Sequence, residues 1–140
     1  MCSLVSAKNR SPSLEKAHRT AKSALMSLAQ RSCVPCRGGV PPLSRDEMAP
    51  LIAQIDAAWS VLDVPDAKRG TVTLLRREFR FGDFKEALEF AVRVGALAEK
   101  QQHHPDLHVA WGSCRVEIWT HKIGGLTESD FIFAAKCDRL

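Results

Sequence analysis

Histidines are the residues whose types and spacing point most directly to chemistry in this sequence. Four of the five histidines fall between positions 103 and 121, at His103, His104, His108 and His121. Imidazole has an unperturbed pKa of about 6.5, so it can both donate and accept protons near neutral pH. Two or three imidazoles gathered in one cleft could divide the acid and base roles of a proton-transfer reaction. The pattern therefore indicates a histidine acid/base site.

The positions of these histidines relative to the predicted helices and strands decide which of them could converge. His103 and His104 end a predicted helix just before Pro105, and His121 ends the last predicted strand. Side chains at the ends of elements can meet over a sheet edge without joining the core. His108 alternates out of phase with its apolar neighbours, so we expect it to face solvent. The expected site therefore combines His103, His104 and His121.

Helix capping and metal binding offer other interpretations of the same residues. Asp130 stands three residues after Thr127 and fits a helix cap, Glu99 fits a solvated charge, and His103 fits a cap at the end of its helix. Zinc is also bound by clustered histidines, but this spacing matches no standard zinc protease or zinc finger. The residue types alone leave a catalytic and a structural role open for each side chain.

Periodic segments of the chain predict the elements that must position the histidines. Hydrophobic periodicity predicts helices over 44–55, 83–102 and 127–135, and strands over 59–62, 71–81, 107–111 and 114–120. Residues 63–70 are typical of a turn region, and Gly112-Ser113 predicts a two-residue hairpin. This order of elements (α-β-β-α-β-β-α) predicts an α+β fold, with a four-stranded antiparallel sheet and helices packed on one face.

The predicted starts of the first two helices carry capping residues. Ser44 with Glu47, and Asp83 with Glu86, have the spacing at which a side chain at the helix start bonds a backbone N–H three residues on. Pro50 lies inside the first predicted helix. Because proline has no backbone N–H, we expect it to kink or delay that helix.

The first 43 residues differ in charge from the rest of the chain. They hold seven basic residues and one acidic residue, a net charge of +6, so residues 44–140 sum to −2 of the total +4. The body therefore offers no general basic face, and we expect no direct nucleic-acid binding. We interpret residues 1–43 as a flexible basic extension, which is either an organellar targeting segment or a disordered tail with no targeting function. The folded domain is expected at 44–140, beginning near Leu43.

Cysteine usage and missing motifs exclude several classes of protein. The five cysteines are an odd, scattered set, which favours a reducing compartment over a disulfide scaffold. Cys33 and Cys36 form a CxxC pair, but no second motif supplies further zinc ligands. No run approaches the ~20 apolar residues that cross a bilayer, so we expect no membrane association. The sequence also lacks the glycine-rich nucleotide loops and the G-x-S-x-G elbow of serine hydrolases.

Taken together, these residues resemble one family closely. The string Glu99-Lys-Gln-Gln-His103-His104-Pro105, followed by Trp111, His121 and Asp130 at their spacings, is similar to the signature of the pterin-4a-carbinolamine dehydratases. The sequence upstream also resembles this family, at Trp59, at the run Phe79-Arg-Phe81-Gly-Asp83-Phe84, and at Ala87, Phe90 and Ala98. The resemblance covers about residues 44–140.

The resemblance implies a fold, a reaction and a site. The fold is the α+β arrangement predicted above. The reaction is the dehydration of 4a-hydroxytetrahydrobiopterin to the quinonoid dihydropterin, which recycles the tetrahydrobiopterin used by aromatic amino acid hydroxylases. By resemblance, the pterin site uses no metal and no cofactor; its catalytic residues are His103, His104 and His121, and its supporting residues are Glu99, Pro105, Trp111 and Asp130.

Two positions depart from the family pattern. Many members carry an acidic residue just before the paired histidines, where this chain has Gln102, and an aromatic two residues after the proline, where it has Leu107. An amide cannot stabilise an imidazolium as a carboxylate does, and leucine stacks less well on a flat ring. We expect activity to be retained with an altered rate or affinity.

The resemblance also carries expectations about partners and location. It implies a homodimer or homotetramer in the cytoplasm, or in an organelle if residues 1–43 are a targeting segment. Some family members bind the dimerisation segments of transcription factors, so a non-catalytic coactivator module, located in the nucleus, is the alternative function. We expect exposed apolar faces for such contacts on the first and last helices. Deletion of residues 1–40 should leave activity unchanged.

Overall fold

A computed structural model describes residues 26–35 and 38–140 of the chain. After a short 3-10 turn at Leu28–Gln30, these residues form the helices and strands in the predicted order: α1 (Arg45–Ile52), β1 (Ser60–Asp66), β2 (Gly70–Arg80), α2 (Phe84–Gln101), β3 (Asp106–Ala110), β4 (Ser113–Ile118) and α3 (Glu128–Cys137). The Ser44–Glu47 capping box and the bond from the Glu86 N–H to Asp83 start α1 and α2 as predicted.

The four strands form one antiparallel sheet in the order β1-β2-β4-β3. Two hairpins meet at its centre, where Leu75 of β2 pairs with Ile118 of β4, and Phe79 pairs with Cys114. Because side chains alternate along a strand, these residues share one face, and all four contribute to the hydrophobic core. The predicted α+β class and its four-stranded antiparallel sheet are confirmed.

The helices cover this inner face of the sheet. On α2 the buried residues recur at helical spacing: Ala87, Phe90, Ala91, Val94 and Ala98. Helix α3 is buried along most of its length, from Ser129 to Ala135, because it packs between the sheet, the other helices and the 3-10 turn. Helix α3 is therefore held in place from several sides.

Two predicted boundaries in the first half of the domain are wrong. Strand β1 continues through Asp66, whereas the sequence predicts a turn from 63. The strand tolerates Pro65 because β1 is an edge strand, where half of the backbone N–H groups need no partner. Helix α1 contains Pro50 and ends at Ile52 rather than at 55. Beyond Ile52 the chain tightens, because the N–H groups of Gln54 and Ile55 bond carbonyls three residues back rather than four.

The β3–β4 hairpin turns one residue earlier than predicted. Ala110 pairs with Ser113, so the two turn residues are Trp111 and Gly112. Gly112 has φ +68°, and a Cβ there would lie 3.0 Å from the backbone oxygen of Phe81. Both the backbone conformation and the close approach require glycine. The turn leaves Trp111 in solvent, 77% exposed.

Residues upstream of the predicted start at Leu43 also belong to the folded domain. Leu28 is buried and belongs to the hydrophobic core, and residues 26–35 lie against α3. Most of the proposed targeting segment, residues 1–25, lies outside the described residues, as do Cys36 and Arg37 of the predicted linker.

A carboxylate just beyond α3 ties the last helix to the first half of the domain. Asp138 accepts hydrogen bonds from Trp59 Nε1 at 2.7 Å and from the Arg77 guanidinium at 2.6 Å through Oδ1. Its Oδ2 accepts one from the Asp56 backbone N–H at 2.9 Å. Both Asp138 and Arg77 are largely shielded from solvent, so this ion pair is only weakly screened.

We predict that Asp138→Ala lowers the free energy of unfolding by about 2–3 kcal/mol, because it leaves a half-buried guanidinium and an indole N–H without their shared acceptor. Urea denaturation followed by circular dichroism measures this change. Glu89→Ala, which removes an exposed pair with Lys85, is the control and should cost less than about 0.5 kcal/mol. Equal unfolding midpoints for the two variants would contradict the prediction.

Candidate active site

Three of the predicted site residues line one open cavity of about 380 Å³. His103 and His104 approach it from the end of α2, and His121 approaches it from the segment that follows β4. The remaining wall is formed by Pro35, Gln102, Trp119, Thr120 and Lys122. The convergence expected from the sequence, two distant segments presenting imidazoles to one cleft, is therefore present in the fold.

The end of α2 turns sharply at Gln102. This residue adopts the left-handed conformation, with φ 52° and ψ 38°, and the His103 N–H then donates back to Ala98 O at 3.2 Å. Such a reversal is the common way to end a helix, although glycine usually occupies the position. The Gln102 side chain donates to Glu99 O at 2.7 Å. The reversal directs the next two residues, both histidines, toward the cavity.

A buried carboxylate holds the first histidine. Asp130 is fully buried, and its Oδ1 lies 2.6 Å from His103 Nε2. Its Oδ2 accepts from the Thr127 N–H at 2.7 Å and from Thr120 Oγ1 at 2.9 Å. An ionised carboxylate has no proton to give, so Nε2 must donate. Asp130 therefore both caps α3 and fixes the ring of His103.

The second histidine has a weaker, solvated partner. His104 Nε2 lies 2.9 Å from Glu99 Oε1, one helical turn earlier on α2. The two side chains are 55% and 75% exposed, so solvent screens most of their attraction. Glu99 is thus the partner of one histidine, while His104 keeps more freedom than His103.

The third histidine lies on a loop fixed by a residue that the sequence did not single out. The Arg69 guanidinium, from the β1–β2 turn, donates to His121 O at 2.9 Å and to Lys122 O at 3.1 Å. The loop is closed by the Thr120 N–H, which donates to Gly125 O at 2.9 Å. No local pattern marks an arginine whose partners are backbone carbonyls some fifty positions away, so sequence reasoning missed it.

Trp119 is a second missed residue. Its ring meets the His121 ring edge-on, with the centroids 4.2 Å apart and the planes at 79°. It lies two positions before His121, on the same side of the chain. That spacing of an aromatic residue from a site histidine is a signal that the sequence did contain.

The other predicted site residues lie outside this cavity. Pro105 connects α2 to β3, and Trp111 lies at the far turn of the β3–β4 hairpin; neither lines the cavity. His108 is exposed on the sheet, as predicted. Of the two departures from the family pattern, Gln102 lines the cavity, whereas Leu107 packs against the core.

The described residues, 26–35 and 38–140, hold neither a metal-binding cluster nor a membrane-spanning helix. Among these, no group of three or more histidine, cysteine, aspartate or glutamate side chains is placed to hold a metal ion. Within the same part of the chain, none of the helices has the length and apolar character needed to span a bilayer.

Comparison with known proteins identifies the family. Residues 41–140 match the family model described as pterin 4 alpha carbinolamine dehydratase. A protein of Rubrobacter xylanophilus, provisionally named pterin-4-alpha-carbinolamine dehydratase, is 52% identical over 83% of this chain and 100% of its own length. One from Rickettsia bellii with the same provisional name is 48% identical over 81% of this chain and 94% of its own length.

A solved structure agrees with these matches. It is described as a transcriptional coactivator/pterin dehydratase from Brucella melitensis, and it superposes with a TM-score of 0.59 at 30% identity, covering 70% of this chain and 96% of that one. The fold and the matches define an enzyme of the lyase class. Within that class, the chain belongs to the pterin-4a-carbinolamine dehydratase family.

We predict that Arg69→Met loosens the loop that carries His121. Amide hydrogen exchange at Ile123 and Gly124, whose N–H groups bond Thr120 O, should speed up about 10-fold, which corresponds to the net contribution of one or two hydrogen bonds. Lys68→Met, at the exposed neighbouring position, is the matched control and should leave these rates unchanged. Identical exchange in both variants would show that Arg69 does not fix the loop.

Proposed function

We propose that this protein dehydrates 4a-hydroxytetrahydrobiopterin to the quinonoid dihydropterin, and so recycles tetrahydrobiopterin. The observation that carries the proposal is the convergence of His103, His104 and His121 on one cavity, in a chain of the dehydratase family. The proposed site needs no metal and no cofactor, because every step is a proton transfer or the loss of water.

The reaction requires two proton transfers at neighbouring atoms of one flat ring. The bond from C4a to its hydroxyl oxygen breaks, and that oxygen takes a proton and departs as water. A base removes the proton from N5, and the nitrogen electron pair forms the C4a–N5 double bond. Imidazoles can perform both transfers, each contributing about 10²–10⁴-fold.

We assign the two transfers to His103 and His121, with His104 binding the substrate or sharing the work. Since these residues enter the cavity from different segments, they can address different atoms of one ring. Asp130 stabilises the imidazolium that His103 forms in either role, because its carboxylate is held 2.6 Å away. The aromatic ring of Trp119, beside His121, offers a surface for the pterin.

Histidine substitution tests the assignment. His103→Ala and His121→Ala should each lower turnover by at least about 100-fold, because each removes one proton-transfer group. A stopped-flow assay of carbinolamine loss measures the rate, and circular dichroism checks that the fold is retained. His108→Ala, a solvent-facing histidine, should keep the wild-type rate. Near-wild-type turnover in both site variants would refute the assignment.

Chelation tests the metal-free mechanism separately. Incubation with EDTA or phenanthroline, followed by removal of the chelator, should leave the dehydration rate unchanged, since imidazoles alone carry the protons. A loss of activity that added zinc restores would replace the acid/base mechanism with metal-assisted dehydration.

An interaction role is the second candidate. Helix α2 exposes three apolar side chains along one stripe, Phe84, Leu88 and Val92, spaced as on one helix face. The predicted exposed face on the last helix is wrong, because α3 is buried along most of its length. The stripe suits self-assembly into a dimer or tetramer, or the docking of a partner helix as in a coactivator. Such binding would survive the loss of the histidines.

For the location of the enzyme, we propose the cytoplasm. Its reducing conditions suit five cysteines whose odd number and scattered positions are not those of a disulfide scaffold. An organelle replaces it if the basic extension is a targeting segment. The hydroxylase pathway that would use the recycled pterin belongs to the same proposal.

A further inference from the structure

Residues 26–35, called the strap from here on, precede the residues matched by the family model and are fastened to the core of the domain. They lie within the 116 residues over which the chain matches the Rubrobacter protein. The match to the family model begins at residue 41. Leu28 of the strap is buried in the hydrophobic core. The backbone oxygen of Ala29 accepts a hydrogen bond from Lys136 Nζ at 2.8 Å, and Arg31 forms an ion pair with Glu128. The first half of the strap is therefore anchored along α3.

The second half of the strap bridges the two helix ends that build the site. The Cys33 N–H donates to Gln101 Oε1, at the end of α2, at 3.1 Å. The Val34 N–H donates to Ser129 Oγ at 3.0 Å, and that hydroxyl donates back to Val34 O at 3.2 Å. Gln101 is two residues before His103, and Ser129 directly precedes Asp130.

The strap then reaches the histidine cavity itself. Pro35, its last residue, is one of the residues that line the cavity. Its pyrrolidine ring is apolar and rigid, which suits contact with the face of a flat heterocycle. A segment that precedes the residues matched by the family model thus supplies part of the cavity wall, beside the end of α2 and the loop after β4.

We propose that the strap is part of the substrate site, with Pro35 as a wall against the pterin ring and with Cys33 and Val34 as the contacts that position this wall. The proposal rests on the dehydratase function proposed above. It replaces the expectation that residues 1–40 can be removed without effect.

Thermodynamic linkage gives the proposal a consequence that does not depend on turnover. If a docked strap improves pterin binding, then bound pterin must stabilise the docked strap by the same factor. The Cys33 thiol, half-buried in the strap and 3.4 Å from Ser129 O, reports on docking, because release of the strap exposes it to a thiol reagent.

The labelling experiment uses the full chain with Cys2→Ser and Cys36→Ser, so that the remaining thiols are Cys33, Cys114 and Cys137. Burial raises the pKa values of the Cys114 and Cys137 thiols, which keeps them protonated and slow to react. The stable analogue 7,8-dihydrobiopterin should slow the labelling of Cys33 at concentrations that saturate binding. Unchanged labelling at saturation would overturn the proposal.

Ser129→Ala tests the anchor in the same background. It should speed up Cys33 labelling and raise KM for the carbinolamine, both by about 5- to 10-fold, as expected for the loss of one or two hydrogen bonds, while kcat changes less than about 2-fold. Ser129→Thr restores the hydroxyl and should recover both values. Ser60→Ala, on the exposed edge strand, is the matched control. Faster labelling with an unchanged KM would overturn the proposal.

Pro35→Ala keeps every hydrogen bond that anchors the strap and removes only the pyrrolidine ring from the cavity wall. It should raise KM, with the labelling rate unchanged in the absence of pterin; an unchanged KM would overturn the role of Pro35. If the wild-type chain fails to dehydrate the carbinolamine, the proposed function fails. The labelling and binding of 7,8-dihydrobiopterin then test the strap as part of a pterin-binding site on their own.

Discussion

The arrangement of the site depends on one buried carboxylate. Asp130 is fully buried, and an ionised carboxylate in such a place is stable only when hydrogen bonds replace its lost water. Its donors come from three places: His103 after α2, Thr120 after β4, and Thr127 before α3. Because all three donors must reach one side chain, the end of α2, the end of β4 and the start of α3 converge. The histidine corner, meaning His103, His104 and His121 around their shared cavity, lies where they meet.

The sequence predicted the features that depend on local pattern. The order of elements and the caps at Ser44, Asp83 and Thr127 follow from periodicity and spacing. Boundaries that depend on neighbours were missed. Strand β1 runs through Pro65 because it is an edge strand, and the hairpin turns early because Gly112 lies against the backbone of Phe81, just past β2. Such effects depend on what packs nearby, which a single sequence does not contain.

The candidate site divides in the same way. The histidines themselves could be found, since imidazoles at element ends have a recognisable spacing. Their supports could be found only in part, because Asp130 has a local capping signature, whereas Arg69 acts on backbone carbonyls far along the chain. The strap reaches the cavity from a segment that the sequence predicts to be a flexible extension. Residue type marks the reacting groups, and tertiary contacts determine what holds them.

The left-handed residue at the end of α2 places a limit on how the histidine corner can vary. A side chain in this conformation costs about 1–2 kcal/mol relative to a right-handed one, and Gln102 offsets part of that cost by bonding Glu99 O. Glycine would remove the strain but would also free the backbone that aims His103 and His104. Tolerance at position 102 should therefore follow backbone conformation first and charge second, so natural diversity there reports on loop rigidity as much as on catalysis.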